Sequence, residues 1–139
     1  DFGTFANLAD TTRSHMASGF PGGGKIRDRN PYPDNSLFPL RDIRFTDNWF
    51  VVDYAGQCKP NAWGLKDMVG NVNEWTRSDY KAYPYKAGDG RNAGNVAAAK
   101  VARGGSWHER PKDAGSTVRF PYESYQKVFN VGFRVIIED

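Results

Sequence analysis

The densest group of oxygen donors in this chain lies between Asp67 and Glu74. The run Asp67-Met68-Val69-Gly70-Asn71-Val72-Asn73-Glu74 places two carboxylates and two amides within eight positions around a glycine. A hard cation such as Ca²⁺ takes six to eight oxygens from side chains and backbone carbonyls together, and a tight glycine turn can fold its carbonyls onto an ion held between two acids. The spacing is not that of an EF-hand loop. The same residues also suit a polar turn ahead of a strand, with Asp67 capping the local backbone.

Other chemistry-bearing residues give weaker signals. Gly19 to Lys25 has the spacing of a phosphate-binding loop, but Ile26 stands where a hydroxyl must hold Mg²⁺. Arg27 to Pro33 cannot start the helix that would face a phosphate, so a surface loop is expected there. His15 and His108 are too few and too far apart for a histidine metal site. His108 and Glu109 are neighbours, yet in extended chain they would point to opposite faces. No Gly-x-Ser-x-Gly elbow supports a hydrolase triad. The single cysteine, Cys58, permits neither an internal disulfide nor a thiolate zinc site.

These residues must be positioned by short elements and long loops. A helix is expected over Ala6 to Ser18, with Asn7 or Asp10 as cap and Gly19 as stop. Loops are expected over Gly19 to Pro39 and Asp79 to Asn95, where prolines and glycines cluster. Strands are expected over Asp47–Tyr54, Val72–Trp75, Lys100–Arg103, Ser116–Phe120 and Val131–Ile137. In the last, Val131, Phe133, Val135 and Ile137 alternate onto one face. The paired glycines before Trp107 indicate close backbone approach under a large ring, and Arg134, if buried, needs a carboxylate or carbonyl partner.

Composition sets the outer bounds. With 139 residues the chain is sized for one domain. Nineteen Lys and Arg against 16 Asp and Glu leave a formal charge of only +3, which argues against a nucleic-acid binder. Mean hydropathy is −0.69 and no apolar run approaches the ~20 residues of a membrane span. Nine Phe, seven Tyr and four Trp are too many for a chain without a core.

Taken together, the blocks resemble the formylglycine-generating enzyme (sulfatase-modifying factor) family. Asn61-Ala62-Trp63-Gly64-Leu65-Lys66-Asp67-Met68-Val69-Gly70-Asn71-Val72-Asn73-Glu74-Trp75 is similar to the family's long Gly-Leu…Gly-Asn…Glu-Trp block. Arg103-Gly104-Gly105-Ser106-Trp107 resembles its Arg-Gly-Gly-Ser-aromatic block, Gly132-Phe133-Arg134 its closing block, and Phe5 to Asp10 its upstream Ala-Asn block. The resemblance covers the C-terminal half of the family domain, and the usual block of its first half has no counterpart here. It implies an α+β, C-type-lectin-like fold with little regular secondary structure across residues 1–139.

It also implies two calcium sites. One would use the Asn7 side chain, the Leu8 carbonyl, the Asp47 carboxylate and the Trp49 carbonyl; the other Asp67, the carbonyls of Gly70 and Val72, and Glu74. The family's oxidases need two cysteines after the Gly-Gly-Ser-aromatic block, and by spacing those places hold Glu109 and Ala114. A carboxylate and a methyl cannot ligate Cu(I), which takes soft sulfur. The expected function is therefore a calcium-stabilised binding or assembly module without copper and without formylglycine-generating chemistry. A secreted or periplasmic setting is expected, with a protein partner or the family domain's N-terminal half covering an exposed apolar face. Its ligand, a saccharide or peptide, would meet His108, Glu109, Arg110, Arg119, Tyr122 and Tyr125. The alternative is a non-haem metal-dependent oxidase or oxygenase completed by the missing half or a partner chain, with His108 and Glu109 as ligands or acid–base groups.

Overall fold

The computed structural model describes residues 2–10, 12, 42, 44–49 and 51–137. The greater part of the expected helix, His15 and the glycine-rich Gly19–Lys25 stretch lie outside them. Among the described residues the regular structure is a four-stranded sheet and two single-turn 3₁₀ helices, Phe2–Thr4 and Pro111–Asp113. The strands are β1 (Asn73–Asp79), β2 (Lys100–Arg103), β3 (Phe120–Tyr122) and β4 (Val131–Gly132), in the order β3-β2-β1-β4. β1 runs antiparallel to β2 and parallel to β4, and β2 runs antiparallel to β3.

The register records an irregularity. Trp75 faces Ala102 and Asp79 faces Lys100, so β1 advances four residues while β2 advances two. The extra residues bend β1 toward the loop that follows it. Pro121 has no N–H to give a ladder and lies on β3, an edge strand. Past Asp79 the chain runs without strand to Lys100, as the prolines and glycines there indicate.

Several expected elements differ from those observed. Ala6–Asp10 is not helical: Asn7 O accepts from Asn71 N at 2.7 Å, Ala9 N donates to Glu109 O at 2.9 Å, and Asp42 N donates to Ala9 O at 2.8 Å. These bonds to distant segments replace the i to i−4 bonds a helix would need. In Asp47–Tyr54 the described residues form no strand, because Trp49 N and Asp53 N donate to the side chains of Asp47 and Asn71 instead of a ladder. The strand expected at Ser116–Phe120 begins only at Phe120, and that expected at Val131–Ile137 ends at Gly132. β4 pairs only with Asn73 and Glu74, and Phe133, Val135, Ile136 and Ile137 are left 74–86% exposed.

Among the described residues the interior is small and polar. Their buried apolar members are Ala6, Leu8, Ala9, Cys58, Val101, Ala102 and Ala114, none of them aromatic. Buried beside them are Asn7, Asp10, Asp47, Asn71, Asn73, Asp79, Arg91, Ser106 and Asn130. The aromatic core that the composition suggests is thus not formed by the described residues. Cohesion at the centre falls to hydrogen bonds between buried amides and carboxylates, which must be satisfied in full when taken from water.

Gly70 shows how tightly the segments approach. Its φ is +83°, and a Cβ there would sit 2.3 Å from the Asn7 carbonyl oxygen. Gly94 also has a positive φ, of +75°, but with open space around it. Both glycine-to-alanine changes incur the left-handed penalty of about 1–2 kcal/mol. Thermal denaturation is expected to show Gly70→Ala destabilised well beyond Gly94→Ala. Equal losses would mean that the Asn7 approach is not a constraint.

Candidate functional site

Asn71 joins three segments. Its backbone, at φ +61°, donates to Asn7 O and accepts from Trp107 N at 3.0 Å. Its side-chain oxygen accepts from Asp53 N at 2.8 Å and from Asn7 Nδ2 at 3.2 Å, while its Nδ2 donates to Asp53 O at 3.0 Å. An asparagine tolerates the left-handed region better than most side chains and here uses every polar atom it has.

The segments that carry the first expected donor set meet near this point. Leu8 N donates to Asp47 Oδ2 at 2.9 Å and Trp49 N to Asp47 Oδ1 at 2.8 Å, so residues 7–8 and 47–49 lie side by side. Asn7 turns its amide nitrogen to Val51 O at 2.8 Å, and its Oδ1 is buried without any hydrogen-bond partner. Asp10 accepts from Asp47 N and adds a second acid nearby. Burial is the chief influence on Asp47 and pushes its carboxyl up to about 6, against the pull of the Trp49 and Leu8 N–H groups. Asp47 and Trp49 line a cavity of about 270 Å³ that also reaches Cys58 and Lys59. An orphaned amide oxygen one residue from the Leu8 N–H that binds a desolvated carboxylate is the kind of donor a hard cation takes.

The second set is also a local unit, but its charge is already met. Positive φ at Asp67, Gly70 and Asn71 curls the loop. Asp67 Oδ2 accepts from Gly56 N. Arg134 grips Glu74 with Nε at 3.1 and 3.0 Å from the two oxygens, and its Nη2 reaches Lys66 O at 2.9 Å and Asp67 O at 3.3 Å. The partners expected for Arg134 are therefore both a carboxylate and carbonyls. Among the described residues no three His, Cys, Asp or Glu side chains gather as a metal cluster, so calcium here would lean on amide and backbone oxygens.

Glu109 and Ala114, the places of the family's cysteines, have structural surroundings. Glu109 accepts from Asn130 Nδ2 at 2.9 Å, from Asn73 Nδ2 at 3.2 Å and from the Ser106 hydroxyl. Ser106 is fully buried and accepts from Asn130 Nδ2 at 3.1 Å, so no substrate carbonyl can reach its oxygen. Ala114 packs in the core with Ala6 and Leu8. Burial, with the Asp67 carboxylate beside it, pushes the Cys58 thiol up to about 11, which keeps it protonated and a poor nucleophile. Of the Asn73–Ser106–Glu109–Asn130 network only Glu109 is among the expected site residues, as a ligand contact rather than as an interior acceptor.

The six expected ligand contacts have the following surroundings. His108 packs edge-on against Trp107 and Phe129, with centroids 5.5 and 5.6 Å away. Glu109 faces inward, and Arg110 pairs with Asp113 at 3.5 Å. Tyr122 packs on Trp75 at 5.9 Å, Tyr125 is 81% exposed, and Arg119 lies over Tyr83 and Tyr80.

Short strands, long loops tied by side chains, and a buried Gly-Gly-Ser-Trp turn beside the Gly-Asn knot define a lectin-like domain of low regular structure. The chain matches the sulfatase-modifying factor enzyme 1-like domain over residues 7–139 and belongs to the formylglycine-generating enzyme/sulfatase-modifying factor family. No curated protein and no solved structure matches it.

The Asp47 shift has a testable consequence. A carboxyl held above its unfolded value favours folding where it is protonated, so its contribution worsens as pH rises from about 4 to about 6. In chelator-treated protein, Asp47→Asn is expected to flatten the fall in Tm between pH 4 and 7. An unchanged profile would show that Asp47 is not desolvated.

Proposed function

We propose that this chain is a calcium-stabilised, lectin-like binding or assembly module that has lost the family's copper-oxidase chemistry. The observation that carries this reading is the buried, unpartnered Asn7 Oδ1, one residue from the Leu8 N–H that binds the desolvated Asp47 carboxylate. Asn7, Leu8, Asp47 and Trp49 would hold the first ion. Asp67, Gly70, Val72 and Glu74 would hold the second, with Glu74 shared between the ion and Arg134. Calcium would supply positive charge and cross-link segments distant in sequence, which is a structural role.

The absence of thiols at Glu109 and Ala114 supports a role other than oxidation, since both side chains are committed to the interior. The exposed Phe133, Val135, Ile136 and Ile137 support a protein partner or a preceding half-domain as cover, in an exported or multi-subunit setting. Saccharide or peptide ligands would be met by loops carrying Arg and aromatic side chains.

Calcium at a hundred times its Kd is expected to stabilise the fold by about 2.7 kcal/mol per site. Differential scanning fluorimetry should show the Tm rising by several degrees with CaCl₂ and returning with EDTA, and Asn7→Leu, which removes one of the two sites, should remove about half of the rise. A melting temperature indifferent to both additions would overturn the reading.

A further inference from the structure

A second feature lies over β1 and β2, and none of its lining residues belongs to an expected donor set, although Arg103 pairs across the sheet with Glu74. Asp79, Tyr83, Tyr85, Arg91, Arg103 and Arg119 line a cavity of about 160 Å³. We propose that this cleft binds a sugar ring bearing a carboxylate, that is, a uronate. The proposal gives a ligand class to the binding-module reading and rests on it.

Charge selects an anion. Asp79 is paired with Lys100, and Arg91 is paired with Asp89 at 2.5 Å, so these four charges cancel. Arg103 and Arg119 remain. Arg103 donates to the Ser116 carbonyl and Arg119 Nη1 donates to the Lys81 carbonyl at 2.8 Å, and among the described residues neither has a carboxylate partner. Each guanidinium carries five N–H donors, so most of each fork is left for a ligand. Planar forks match planar carboxylates with two parallel bonds.

Geometry selects a ring. The Arg119 guanidinium lies 3.7 Å from the Tyr83 ring centroid and 5.0 Å from that of Tyr80, while Arg91 lies 4.6 Å from Tyr85. Stacking holds these cations in place before a ligand arrives, which lowers the ordering cost of binding. Tyr83 and Tyr85 remain 54% and 60% exposed and offer apolar ring surface next to a hydroxyl, a combination that suits a sugar face. An engineered cavity of ~150 Å³ takes one benzene ring, so a cleft of this volume receives one face of a sugar with its carboxylate rather than an extended chain.

The test is an NMR titration of the full chain with D-glucuronate, D-glucose and sodium sulfate at matched ionic strength, in CaCl₂ and in EDTA. Glucuronate is expected to shift the Tyr83, Arg91 and Arg119 amides saturably. Arg119→Gln and Arg103→Gln should each weaken it by about tenfold or more, as loss of a charge-assisted pair does. Arg103→Gln guards against misfolding, since Arg103 is not stacked between tyrosines. Absence of saturation, glucose binding as tightly as glucuronate, or sulfate binding as tightly would each overturn the proposal. No cleft residue belongs to a calcium donor set, so glucuronate binding persists in EDTA and failure of the calcium test is distinguishable from failure of this one.

Discussion

The structure depends on the hydrogen bonds that Asn71 makes to Asn7, Asp53 and Trp107. With few apolar side chains buried among the described residues, association of these segments cannot rest on area burial alone. A buried amide that finds all its partners adds a modest net stability, but one that loses a partner costs about 1–3 kcal/mol. That asymmetry makes the arrangement specific: any sliding of the 7–10 segment against 70–73 breaks several bonds together. Gly70 enforces the same register sterically, because only a hydrogen fits against the Asn7 carbonyl.

Two neighbouring features inherit their positions from this knot. Fixing Asn7 brings Leu8 to Asp47 and leaves the Asn7 oxygen without a donor. Fixing Trp107 sets the Gly-Gly-Ser turn, from which Ser106 and Glu109 meet Asn73 and Asn130. Where the family's oxidases place two sulfurs, this chain has a carboxylate saturated with donors and a methyl pressed against Gly105. The interior there is occupied by bonding that holds the fold. The arginine–tyrosine cleft sits on β1 and β2, but its tyrosines and Arg119 come from loops that take no part in the knot, and loops are where a ligand site can vary.

Much of this was legible in the sequence where the signal was local. Lys100–Arg103 is a strand at the expected bounds, and the loop after β1 follows its prolines and glycines. The Asp67–Glu74 block reads as a curled oxygen-rich loop because glycine and asparagine there accept positive φ. The illegible parts are those decided by distant partners. Ala6–Asp10 has acceptable helix formers, yet its backbone bonds to Asn71, Glu109 and Asp42. Val131–Ile137 alternates as a strand should, but only Asn73 and Glu74 pair with it. Asn73 and Asn130 become recognisable only when Glu109 is seen between them, since a lone asparagine in sequence marks a turn more often than a buried network.

Amide hydrogen exchange measures the central claim directly. If the Asn71 knot closes the fold, the Asn71 and Trp107 amides exchange only by global unfolding and are among the slowest in the chain, far slower than the Val131 amide on the short edge strand β4. Exchange at Asn71 and Trp107 as fast as at Val131 would contradict the account.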